Sequence, residues 1–271
     1  MFNFRHLLNR TAPTPQMTPA FDFTRMLNWR ILRGSHEFPG PDGGTCINEA
    51  AIIAAGYPYR PVRRIEDCPP SFSRPLALYA MCLNEIVLGD DLRQELLLPF
   101  VPRLAGSADT LEVEMARVAL ILQRTVATIL PDALERAGYD RDARRCRSAA
   151  TIRDAVAAVK QLSGRNWHSR GPHLIGLINS ISMAVEDHLA YRAVDAAQYA
   201  GTAIADVAEV IGGTGAVAAR NVETIYRGAA GILDQAFRIG NQAEPIAPDT
   251  VVGRMQRAKR PTPEPQAAYD G

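Results

Sequence analysis

The stretch "ISMAVEDHLAYRAVDAAQYAGTAIADVAEVIGGTGAVAARNVETIYRGAAGILDQAF", residues 181–237, decides the fold class. Ile181, Val185, Leu189, Ala193, Ala197, Ala200, Ile204, Val207 and Ile211 recur every three or four residues, which places them on one face of a helix. Beyond the glycine-rich "GGTG" at 212–215, a second stripe runs through Val222, Ile225, Ala229, Ile232 and Ala236. Two helical stripes joined by a short glycine turn predict a long antiparallel helical hairpin. The small residues Ala196, Ala200, Gly201, Gly228 and Gly231 allow close helix approach, so tight internal packing is the expected use of these faces.

Working outward, the same spacing recurs in "DTLEVEMARVALILQRTVATIL" (109–130), where Leu111, Met115, Val118, Leu122, Val126 and Ile129 form an amphipathic stripe that Pro131 should end or kink. A further helix is expected from about Asp140 to Leu162. "SRPLALYAMCLNEIV" (73–87) opens with Ser73 as N-cap and a proline in the first turn, and "DDLRQELLLPF" (90–100) opens with acids suited to the positive end of a helix dipole. "FDFTRMLNWRILR" (21–33) has helix-like spacing through Arg30 and Ile31, ending at Gly34, and "CINEAAIIAAG" (46–56) reads as a short apolar helix closed by Gly56.

No segment alternates apolar and polar residues, and "YPYRPV" (57–62) is the one extended piece expected. The chain is therefore read as all-α: a helical bundle with the C-terminal hairpin and two long ordered loops in its N-terminal part. The proline-rich ends should form an N-terminal arm over 1–20 and an extended tail over 241–271. Between them lie a loop-rich helical part, 21–163, and the hairpin, 164–240, together read as one domain.

Composition narrows the function. The 271 residues are 47% apolar and 22% charged, as in ordinary globular proteins, and a formal charge of +1 gives no global pull toward nucleic acid or anionic membranes. Only Lys160 and Lys259 are lysines, as biased codon usage in a GC-rich bacterial genome would produce. Cys46, Cys68, Cys82 and Cys146 form no CxxC pair, and "MFNFRHLLNRTAPTPQ" (1–16) lacks a secretory apolar core, so reduced thiols and a cytoplasmic location are expected. The uncharged run "GPHLIGLINSISMAV" (171–185) falls short of the roughly 20 residues that cross a bilayer, so no membrane partner is expected.

The chemistry concentrates in "GSHEFPGPDGGTCINEAAIIAAG", residues 34–56. With Thr45 as N-cap and Cys46 at the first helical position, free N–H groups and the helix dipole would favour a thiolate, making Cys46 the best candidate nucleophile. Small residues before a cysteine that opens a helix resemble the nucleophile region of papain-like and transglutaminase-like enzymes. That resemblance, over about ten residues, implies a histidine base, for which His36 is available with Asp42 or Glu37 to orient it; His168, His173 and His188 come later.

The same glycines suit an anion at a helix start: Gly43, Gly44 and Thr45, with charge from Arg60, Arg63 and Arg64, although no lysine precedes the threonine as a Walker A loop requires. His36, Asp42, Cys46 and Cys68 are types that zinc accepts, but their spacing matches no zinc signature, and no metal or other cofactor is expected. His36, Asp42, Thr45 and Asn48 could equally satisfy backbone groups in a packed turn.

Three functional expectations follow. The first is a non-enzymatic helical interaction or accessory protein, self-associating or part of a larger bacterial complex. The second is a cysteine-dependent hydrolase or acyltransferase using Cys46 with His36. The third is phosphate or nucleic-acid binding through Arg60, Arg63, Arg64 and the basic "RMQRAKRPTPEP" at 254–265.

Overall fold

Where the stripes become helices, their limits are set by caps and turns. A computed structural model describes residues 30–37, 44–165, 167, 172–213, 215–240 and 244–258. It is 72% helical with 2% strand, which places the chain in the all-α class. The strand among the described residues is one parallel bridge, β1 (Arg30–Ile31) beside β2 (Gly44–Thr45). Then come α1 (Ile47–Ala54), an irregular segment with a 3-10 turn at Ile65–Asp67, α2 (Arg74–Ile86) and α3 (Asp90–Leu97). A short α4 (Val101–Leu104) leads to α5 (Leu111–Arg124), a π turn at Thr125–Ile129, α6 (Leu130–Arg136), α7 (Asp140–Arg147) and α8 (Ile152–Ser163). The C-terminal part holds α9 (Pro172–Leu189), α10 (Ala193–Ile211), α11 (Ala216–Phe237) and α12 (Pro248–Ala258).

Several helix starts follow their caps. Ser73 Oγ accepts from the Leu76 N–H at 3.4 Å, and Thr110 Oγ1 accepts from Val113 at the same distance. Thr151 and Asp154 form a capping box: Thr151 Oγ1 accepts from the Asp154 N–H at 3.2 Å, and the Asp154 carboxylate accepts from the Thr151 N–H at 2.9 Å. That box starts α8 afresh, so the helix expected over 140–162 is two helices. Pro131 lacks the N–H that an unbroken α-helix would use. The helix widens just before it, with the Leu130 N–H bonded to the Thr125 carbonyl.

The stripe through Ile181 to Ile211 divides at Ala190–Arg192. Tyr191 takes a left-handed φ of 59°, the Arg192 N–H bonds to the Asp187 carbonyl at 2.8 Å, and the Arg192 guanidinium pairs with the Asp187 carboxylate. The pair of helices in most extensive contact is therefore α9 with α10, one turn earlier in the chain than the glycine turn that links α10 to α11. α10 also packs on α2, α5, α6 and α11, and Ala196, Ala197, Ala200, Gly201 and Ala203 are all buried there. Gly201 permits the crossing with α2, since a Cβ at this position would lie 2.6 Å from Cys82 Cβ.

Two segments depart from expectation at the ends. Arg30 and Ile31 are extended rather than helical, held where the Leu32 N–H donates to the Thr45 carbonyl at 2.9 Å; residues 21–29 and the expected arm, 1–20, lie outside the described residues. Within the expected tail, 248–258 is the helix α12. Pro248 stands at its first position, where a missing N–H leaves nothing unpaired, and Val251, Val252 and Met255 are buried as α12 packs on α1. The Arg254 guanidinium donates to the Ala54 carbonyl at the end of α1. All eight residues of α1 are buried, Asn48 and Glu49 included, so the helix that follows the glycine loop runs through the core rather than over the surface.

Candidate functional site

The helix after the loop begins one residue later than expected: Cys46, not Thr45, is its N-cap. The Cys46 sulfur accepts from the Glu49 N–H at 3.4 Å, and the Glu49 carboxylate accepts from the Cys46 N–H at 2.8 Å, a capping box with cysteine in the place of serine or threonine. Glu49 is 0% exposed, and its carboxylate gathers the rest of the loop. It accepts from Ser35 Oγ at 2.7 Å, from the His36 N–H at 3.0 Å and from the Val62 N–H at 3.0 Å.

Asn84 of α2 ties the other side, accepting from the Ile47 N–H at 3.1 Å and donating to the Leu32 carbonyl at 2.9 Å. Gly34, whose φ of +85° favours glycine, donates its N–H to Glu85 at 2.9 Å. The Tyr59 hydroxyl donates to the His36 carbonyl. Thr45 Oγ1 and Asn48 Oδ1 are buried without a hydrogen-bond partner among the described residues.

This packing reverses the electrostatics expected of Cys46. The residue is 2% exposed; burial, then the nearby Glu49 charge, push its thiol well above the ordinary value of 9.0. The helix start favours a thiolate, but desolvation and a neighbouring carboxylate outweigh it. Burial and the Glu49 charge push the Tyr59 phenol up in the same way.

The structure brings His36 and Cys46 to the same carboxylate, and it does so through backbone groups. The His36 ring turns away, with Nε2 3.1 Å from the Arg33 carbonyl, and no hydrogen bond joins it to the Cys46 sulfur among the described residues. Asp42 and Gly43 lie outside the described residues. Thr45 is buried in β2, and Gly44 packs against the Leu32 and His36 side chains.

Arg60, Arg63 and Arg64 are exposed and gather around Asp67 rather than around the helix start. The Arg63 and Arg64 N–H groups each donate to Asp67 at 3.0 Å, and the Arg64 guanidinium lies 3.7 Å from its carboxylate. Burial alone would raise the Asp67 carboxyl, but these backbone donors and the arginine charges outweigh it and hold it below its usual value. Among the described residues, no three His, Cys, Asp or Glu side chains come together as a metal ion would require, and no helix is long and apolar enough to cross a membrane.

The second place of interest is a groove of about 1010 Å³. One wall is the end of α2 and the start of α3; the other is the end of α10 and the first turns of α11, across the glycine turn. Small residues such as Ala208, Gly212 and Ala218 line the second wall. Leu88, 67% exposed, lines the first, and Val217, 64% exposed, neighbours Ala218. Its polar groups are Arg33, Glu85, Glu209, Glu223 and Tyr226. The loop reaches it, because Glu85, which holds Gly34, also pairs with Arg33 at 3.5 Å.

Glu223 pairs with Arg227 at 2.8 Å, whereas Glu209 has no ion pair among the described residues. Tyr226 is 3% exposed and makes no hydrogen bond to a described residue; burial, then the Glu209 charge, raise its phenol.

Sequence reasoning passed over Glu49, Asn84, Glu85, Glu209 and Tyr226. One signal was present: Cys46 and Glu49 stand three apart, the spacing of a capping box. The others answer to no local pattern. Comparison of the chain with known protein families, curated proteins and solved structures finds no match, so the functional reading rests on the geometry alone.

Proposed function

We propose that this chain is a non-enzymatic helical protein that acts by binding, through self-association or as an accessory subunit of a larger bacterial complex. The observation that carries this reading is the contrast between the loop and the groove. The loop's reactive groups are turned inward: the Cys46 thiol is buried and protonated, and the Glu49 carboxylate is spent on backbone and hydroxyl donors. The groove is open, walled by small apolar residues, and has the exposed apolar Leu88 and Val217 about it.

Light scattering over a range of concentrations tests it. A mass above the 29.5 kDa of one chain, lowered by Leu88→Glu or Val217→Glu, is the expected result. A mass of 29.5 kDa for the wild type at every concentration removes self-association.

The cysteine-dependent reading has weaker support. His36 and Cys46 share Glu49, but a sealed, protonated thiol is a poor nucleophile. It requires Cys46 to be alkylated near neutral pH faster than the half-buried Cys82; the expected result is that Cys46 reacts no faster until the protein is unfolded. Arginine-mediated binding of phosphate or nucleic acid would use the exposed Arg60, Arg63 and Arg64, of which Arg64 lies 3.7 Å from the Asp67 carboxylate. Four free cysteines support a reducing compartment, the cytoplasm.

A further inference from the structure

We propose that the groove seats this chain's own residues 1–20, from the same copy or a neighbouring one. The proposal rests on the groove being a contact site, and it names what fills it. Two features of the groove suit a cationic, hydrogen-bonding ligand. First, among the described residues, Glu85, Glu209 and Glu223 face it against Arg33 alone. With Glu85 matched to Arg33 and Glu223 to Arg227, Glu209 is left as a carboxylate without an ion pair among the described residues. Second, Tyr226 is 3% exposed, lines the groove and makes no hydrogen bond to a described residue, although a phenolic hydroxyl can both donate and accept. An incoming backbone or guanidinium group can bond to this hydroxyl.

Residues 1–20, "MFNFRHLLNRTAPTPQMTPA", supply the complement. Arg5 and Arg10 are cations, His6 can become one, and the segment contains no Asp or Glu. Phe2, Phe4, Leu7 and Leu8 are large apolar side chains of the kind that a wall of alanine and glycine leaves room for. The other end of the chain fits less well, since 259–271 sets Lys259 and Arg260 against Glu264 and Asp270.

Connectivity favours the same segment. The described chain enters at Arg30, three residues before Arg33 on the groove wall, and residues 21–29 can span up to about 30 Å when extended. A tether of that length holds the segment at an effective concentration in the millimolar range, so a weak intrinsic affinity suffices.

Limited trypsin digestion of the full-length protein at low salt, read by mass spectrometry as the rate of cleavage after Arg10, tests this. A synthetic peptide of residues 1–20 in the same reaction is the unprotected reference. The expected result is cleavage about tenfold slower in the protein than in the peptide, as an effective concentration ten times the dissociation constant would give. That protection should shrink with added salt. Glu209→Lys, at an exposed position, should restore rapid cleavage with the helical circular dichroism unchanged, and Tyr226→Phe, which keeps the ring, should restore part of it.

Protection independent of protein concentration assigns the segment to its own copy, and protection lost on dilution assigns it to a neighbour; both support the proposal. Cleavage as fast in the protein as in the peptide, or equal rates in wild type and Glu209→Lys, overturns it. A monomer by light scattering with Arg10 still protected would remove self-association and leave this contact standing; an assembly broken by Leu88→Glu with Arg10 unprotected would do the reverse.

Discussion

Glu49 is the residue on which the loop depends. Its two oxygens accept from the N–H groups of His36, Cys46 and Val62 and from the Ser35 hydroxyl, and it has no exposed surface. A glutamine there would keep the volume but offer one acceptor oxygen, and its amide would point N–H groups at backbone donors. Leaving a buried donor unsatisfied costs about 1–3 kcal/mol, so Glu49→Gln should lower stability by roughly 2–3 kcal/mol in urea unfolding. Amide exchange should quicken at His36, Cys46 and Val62 more than elsewhere. An unchanged urea midpoint would show that these bonds contribute nothing net. Cys46 and Glu49 were legible as a spacing, but their partners at 35, 36 and 62 were not, because the chain leaves regular structure on either side of α1.

At the scale of elements, glycine separates two kinds of helix surface. At Gly201 a Cβ would meet Cys82 Cβ at 2.6 Å and its sulfur at 2.9 Å, so Gly201→Ala must push α10 off α2. Overpacking of this kind costs about 1–3 kcal/mol and exceeds the gain of about 1 kcal/mol from helix propensity, so a net loss is expected. At Gly231, on α11, an added Cβ meets nothing within 4 Å. Gly231→Ala should therefore gain about 0.5–1 kcal/mol. Opposite shifts of the urea midpoint in the two variants check both statements.

The small-residue stripes were legible from their period alone. The break at Tyr191 was not, since the apolar spacing runs on across it and only the Asp187–Arg192 contacts close the turn. α12 was missed for a related reason: proline density argues against helix, yet Pro248 occupies the one turn of a helix that tolerates it.

For the whole molecule, the thiols set a pH dependence. Burial raises Cys46 well above 9.0, Cys68 to about 11, and Cys82 and Cys146 to about 12. The folded state thus holds these protons more tightly than the unfolded chain, whose thiols titrate near 9. The stability they contribute is complete below about pH 9 and falls as pH rises through 11 and 12. Tyr59 and Tyr79 shift the same way. The urea midpoint should be level from pH 7 to 8.5 and decline steadily by pH 10.5; a flat profile across that range would contradict the buried placement of the thiols.

The sequence by itself determined the all-α class, the start of α2 from its Ser73 cap, and the irregular course of 57–72, because each depends on residues a few places apart. The tertiary structure alone decided which faces meet. It set Cys46 inside rather than at a surface, opened the groove between α2, α3, α10 and α11, and returned α12 to cover α1. The physical reason is the range of the contacts. Helical periodicity and capping are written within four residues, whereas Glu49 to Val62, Asn84 to Leu32 and Arg254 to Ala54 are bonds across separations of 13, 52 and 200 residues, which no local spacing records.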